Sequence, residues 1–72
     1  MLLNHCKIGF KGVIKSMHGK GKNFQRLLEF GLAEGQQLEL VRVAPLGDPI
    51  EIKLNRRLIA MRRSEAALIE ML

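Results

Sequence analysis

The chain has no tryptophan and no tyrosine, one cysteine, one aspartate and two prolines in its 72 residues. Each scarcity excludes something. A single cysteine, Cys6, leaves no internal disulfide and suits a reducing compartment, so a cytoplasmic location is expected. The only rings are Phe10, Phe24 and Phe30. Small barrels that bind single strands stack bases on aromatic platforms beside a basic groove. Phe24 and Phe30 fall at helical spacing with leucines, which leaves Phe10 alone as a platform and nucleic acid as a disfavoured partner. Two serines, two histidines, one cysteine and one aspartate show no spacing that joins a nucleophile to a base and an orienting group. The glutamates mostly alternate with apolar residues, as on solvated faces. They are not paired as in glycosidases. "GKGK" at residues 19–22 does not complete a phosphate loop and reads as a basic loop. An enzyme is therefore not expected.

Long apolar runs are also lacking. Nothing approaches the roughly 20 residues of a membrane helix. "MLLNHCKIGF" does not contain the apolar core of about 7–15 residues that a signal peptide needs. The expectation is a soluble protein, free to work at the inner face of a cell membrane.

Positive charge, by contrast, is plentiful. Twelve Lys and Arg against seven Asp and Glu give a net +5. The basic residues gather at Lys7–Lys22 and Arg56–Arg63. Such a surface keeps a small protein soluble and favours acidic partners. A single small domain of this length has a limited core. A metal, self-association into a homo-oligomer, a partner or an efficient core must then supply its stability.

Periodicity outlines the fold. "GVIKSMH" predicts a strand over 12–18. "NFQRLLEFGL" predicts a helix over 23–32, with Phe24, Leu27 and Leu28 on one face, Asn23 as cap and Gly31 as terminator. Gly35 marks a corner. "LELVRV" (38–43) breaks alternation, so it is either covered on both faces or bulged near Leu40. "IEIKL" (50–54) alternates strictly, with Ile50, Ile52 and Leu54 inward. Asn55-Arg56-Arg57 turns into a strand over 58–62. Ser64 offers a cap for "EAALIEML", which reads as a short helix or, at 68–71, a closing strand. These pieces predict a mainly β fold: a small SH3-like barrel of about five strands, with one short helix inserted after the first.

Three soft ligands, His5, Cys6 and His18, form a set suited to zinc or ferrous iron. A closed structural site needs a fourth ligand, and no C-x₂-C or H-x₃-H pair is present.

"RLLEFGLAEGQQLELVRVAPLGDPIEIKL" followed by "LIAMRRSEAALI" resembles the FeoA family, the small ferrous iron transport protein A. The resemblance runs from Gly12 to Ile69, and its specificity lies in Val43-Ala44-Pro45-Leu46-Gly47-Asp48-Pro49-Ile50. Glu34 stands where the family favours proline, and Asn55-Arg56-Arg57 replaces a glycine-containing turn. The resemblance implies an SH3-like barrel and a cytoplasmic accessory that docks to FeoB, a membrane ferrous iron transporter with a cytosolic GTP-binding region. It extends to the SH3-like domains ending diphtheria-toxin-repressor-type regulators. It requires no cofactor.

Docking would fall on Phe30, Gly31 and Leu32 at the helix end and on Leu46, Gly47, Asp48 and Pro49 in the loop. Arg42, Arg62 and Arg63 would supply charge. The alternatives are a transition-metal-binding regulatory domain using Fe2+ or Zn2+, and a basic nucleic-acid-binding barrel.

Turn chemistry accounts for most of the loop. Pro45 suits the second position of a turn, Gly47 the fourth, and Pro49 the mouth of a strand. Only Leu46 lacks a structural reason.

Overall fold

The computed structural model describes residues 1–72. After a 3-10 turn at Leu3–His5 the order is β1 (Lys11–Met17), α1 (Gly21–Glu29), β2 (Gln37–Val43), β3 (Ile50–Leu54), β4 (Arg57–Met61), α2 (Arg63–Ala66) and β5 (Ile69–Met71). The strands form one antiparallel sheet in the order β4-β3-β2-β1-β5. β1 is shared: Lys11–Val13 pair with β2, whereas Ile14–Met17 pair with β5 across an irregular register. This division curls the sheet into the expected SH3-like barrel.

β3 keeps its alternation, with Ile50, Ile52 and Leu54 buried against Met61 and Ile59 of β4. The broken alternation in β2 is a bulge. Leu40 faces Ile52 and Arg42 faces Glu51, so Val41 is the extra residue. The β3–β4 hairpin turns on Asn55-Arg56, and Asn55 takes a positive φ of 58° as the first residue of the turn. A cluster of fifteen buried residues fills the barrel, with Leu3, Leu27, Ile52, Leu54 and Ile69 all at 0% exposure. Each such side chain contributes about 1.5–3 kcal/mol of burial.

α1 begins two residues before the expected start. Lys20 is the capping residue and Asn23 lies inside the helix, exposed, with no capping role. Leu27 is buried and Phe24 half-buried, but Leu28 is 47% exposed and lies outside the apolar stripe. The helix stops as expected. Gly31 (φ +86°) donates to the Leu28 carbonyl and Leu32 to that of Leu27, which together satisfy the last turn. Arg57 reaches back from β4 and donates to the Phe30 carbonyl at 2.7 Å.

The C-terminal segment is both things its pattern allowed: a four-residue helix and a closing strand. Arg62, not Ser64, caps α2. No helix is long and apolar enough to cross a membrane.

Candidate functional site

The loop between β2 and β3 is built as its turn residues require. Gly47 donates to Ala44 at 2.7 Å, so Pro45 and Leu46 occupy the two central turn positions. Ala44 donates to Pro49 at 3.0 Å and closes the base. The Asp48–Pro49 peptide is cis. Leu46 stands at the tip, 97% exposed, and is the most exposed large apolar side chain of the molecule.

Arg63, the first residue of α2, holds this loop from behind. Its Nε donates to the Gly47 carbonyl, its Nη1 to the Asn4 carbonyl at 2.7 Å, and its backbone N–H to Asp48 Oδ1 at 3.0 Å. One residue therefore ties the loop, the N-terminal segment and α2 together. Charged hydrogen bonds of this kind are among the stronger ones. Asp48 is thus more than a turn former, because its carboxylate satisfies an orphan donor at the start of α2.

Beside this tether lies a cleft of about 360 Å³ between α1 and α2, lined by Lys22, Asn23, Arg26, Arg62, Ser64 and Glu65. Glu65 is its structural centre. Its side chain is 2% exposed; Oε1 accepts from the Arg62 backbone N–H at 2.9 Å, and Oε2 pairs with Arg26 Nε at 2.6 Å. The Arg26 guanidinium in turn sits 5.4 Å from the centre of the Phe30 ring. Lys22 and Arg62 make no ion pair, so the mouth of the cleft is positive. A second cleft, over β1–β3, is lined by Lys11, Gln37, Leu38, Glu39, Lys53 and Asn55. There Glu39 lies opposite Lys11 on one side and Lys53 on the other.

The residues picked from sequence divide by environment. Leu46, Asp48, Pro49, Gly31, Arg42 and Arg62 are exposed. Gly47 is half-buried beneath the loop. Phe30 is half-buried against the core. Leu32 is 3% exposed and belongs to the core, so it offers nothing to a partner. Arg63 is committed to its three acceptors and is not a free charge. Arg42 faces Glu51 at 3.6 Å in a surface pair that contributes little.

His5, Cys6 and His18 do not form a ligand set, and nowhere do three His, Cys, Asp or Glu side chains gather as for a metal ion. His5 is exposed, and His18 Nε2 lies 3.1 Å from Ser16 Oγ. Cys6 is buried and donates to the Leu2 carbonyl at 3.6 Å. Phe10 is half-buried against the core, its ring against Gly12, and is not a stacking platform.

Sequence reasoning missed Glu65 and Arg26. The available signal was the Arg62-x-x-Glu65 spacing, in which the third helical residue reaches back to the capping N–H. It was hidden by assigning the cap to Ser64.

Burial pushes the Cys6 thiol above its usual range, which the nearby amino terminus opposes. The reactive thiolate is therefore scarce near neutral pH. Iodoacetamide is expected to label Cys6 at least about tenfold more slowly in the folded protein than in urea. Equal rates would contradict this burial.

A five-stranded antiparallel barrel with a braced, exposed loop defines this molecule as a small SH3-like domain. Residues 1–71 match the FeoA domain family, and the chain belongs to it. It is 34% identical over 70 residues to a Porphyromonas gingivalis protein in which Fe(2+) transport protein A is fused to the Fe(2+) transporter FeoB. That match takes in 97% of this chain but only 8% of the fusion protein. The solution structure of iron(II) transport protein A from Clostridium thermocellum has 39% identity and a TM-score of 0.90, covering 99% of this chain and 44% of that one. FeoA of Stenotrophomonas maltophilia, solved as a zinc complex and described as a prokaryotic SH3 domain protein, has 25% identity and a TM-score of 0.82, covering 99% and 88%.

Proposed function

We propose that this chain serves ferrous iron transport by docking to the cytosolic GTP-binding region of a FeoB-type membrane transporter. One observation carries the reading: a relative of this chain shares a single polypeptide with such a transporter. Domains fused in one protein commonly act on each other, because covalent linkage raises their effective concentration. The surface best suited to contact is the β2–β3 loop. Leu46 projects from a turn whose base and back are fixed, so little conformational freedom is lost when it is buried. Arg62 and Lys22, both unpaired at the neighbouring cleft, would steer an acidic face toward it.

Binding to the immobilised cytosolic region of the transporter tests this. Burying one leucine is worth about 1.5–3 kcal/mol, so Leu46→Glu is expected to weaken binding by at least about tenfold. Lys20→Glu, in the exposed segment before α1, is expected to leave it within about twofold. If neither the full transporter nor its cytosolic region binds the wild-type chain, the reading fails.

A further inference from the structure

β4 is an open edge of the sheet. It pairs with β3 alone. The two-residue turn makes Leu54 and Arg57 the first hydrogen-bonded pair, and antiparallel alternation then makes Ile52–Ile59 and Ile50–Met61 the next. Leu58 and Ala60 consequently turn their N–H and C=O groups away from β3. None of the backbone hydrogen bonds outside the regular elements involves either residue. Their side chains also face outward: Leu58 is 60% exposed and Ala60 is exposed, whereas Ile59 and Met61 lie in the core. An unpaired edge with an exposed leucine is a template for another strand.

Charge decides which strand. The edge is bracketed by arginine at both ends, in the run Arg56-Arg57-Leu58-Ile59-Ala60-Met61-Arg62-Arg63. A second copy adding antiparallel about Ile59 would set Leu58 against Ala60. It would also bring Arg56, in the turn before β4, close to Arg62 of the other copy, just past the end of β4, twice over. Like charges directly opposite in a sheet are destabilising. Arg57 is occupied with the Phe30 carbonyl and Arg63 with the loop, but Arg56 and Arg62 are exposed and make no ion pair. They lie just beyond the two ends of β4, Arg56 in the turn before it and Arg62 after its last residue.

We propose that the β4 edge takes an extended segment of another protein by strand addition. That segment carries β-branched residues flanked at both ends by acidic ones. Backbone bonds to Leu58 and Ala60 supply the affinity. Carboxylates facing Arg56 and Arg62 set the register and exclude a second copy of the chain. The β4 edge is distinct from the β2–β3 loop, although Arg62 also lines the α1–α2 cleft, and the proposal stands without the docking role assigned there.

The test is an NMR titration of the full chain with the capped peptide Ac-Glu-Thr-Val-Thr-Val-Thr-Glu-NH2. The Leu58 and Ala60 amides are expected to shift and to exchange more slowly with solvent. Binding should weaken at least about fivefold between low and high salt. The same peptide with proline in place of both valines, whose N–H groups face the Ala60 and Leu58 carbonyls, should not bind. Ala60→Pro removes an edge N–H without breaking a β3–β4 bond, and should reduce binding about tenfold while distant amides keep their positions.

If Ala60→Pro fails to fold, the charge-reversed pair Arg56→Glu and Arg62→Glu decides the question. That variant should lose the acidic peptide and bind its lysine-ended counterpart. The proposal is overturned if no amide of β4 responds at millimolar peptide. Shifts confined to the β2–β3 loop or the α1–α2 cleft, or self-association of the wild-type chain through β4, would overturn it equally.

Discussion

Glu65→Ala is expected to lower the unfolding free energy by about 2–4 kcal/mol, read as a shift in urea midpoint at constant slope. A domain of this length has roughly 4–11 kcal/mol in all, so the loss is a large fraction. The cost has two parts. The Arg62 N–H loses its acceptor at the start of α2, and the Arg26 guanidinium loses its counter-charge. Arg26 is 52% exposed and regains some hydration, which places the expected value in the lower half of the range. Glu65→Gln keeps an acceptor for the N–H and should cost about half as much. Replacing Arg26 and Glu65 together by leucine still leaves the Arg62 N–H without its acceptor, but should cost less than Glu65→Ala alone, because no guanidinium is then left without its counter-charge and the leucines restore apolar packing. A double mutant as unstable as the sum of its singles would show that the two side chains are not coupled.

Arg63→Ala is expected to cost about 2–3 kcal/mol and to release the β2–β3 loop. The Gly47 and Asn4 carbonyls both lose a charged donor. Hydrogen exchange at Gly47 and Ala44 should accelerate by at least about tenfold, while β3 amides change only with global stability. Arg63→Lys should rescue little, because one ammonium cannot reproduce a planar fork that reaches two carbonyls. Partner binding should fall by about as much as in Leu46→Glu, since an unbraced loop must be ordered again on contact. A variant with free loop amides and undiminished binding would separate bracing from recognition and move the contact elsewhere.

Local chemistry was legible and long-range pairing was not. The alternation of Ile50, Ile52 and Leu54, the phase break at Leu40 and the termination at Gly31 each depend on neighbours within a few residues. Each was visible in the string and recurs in the barrel. The same holds for the turn at Ala44–Gly47. Glu65 was misread as solvated because its partner Arg26 lies on another helix, and nothing within its own segment shows that the two meet. Arg63 reaches Asn4 across 59 positions, a contact that composition and period cannot foretell. Leu32 was misplaced at the surface for a related reason. It follows the helix stop, where the chain looks like a loop, yet it turns back into the barrel. His5, Cys6 and His18 are not gathered into one ligand set, since adjacency of His5 and Cys6 in sequence says nothing about where the end of β1 leaves His18.

The pairing of β1 with β5 has a further geometric result. Leu2 bridges Glu70 at the margin of the sheet, so the two ends of the barrel's chain lie side by side on a body 28 Å in its longest dimension. A polypeptide that carried this fold within a longer chain would enter and leave it at one point. The barrel would then hang as a side bead, and its two flanking segments would not be pushed apart by its diameter.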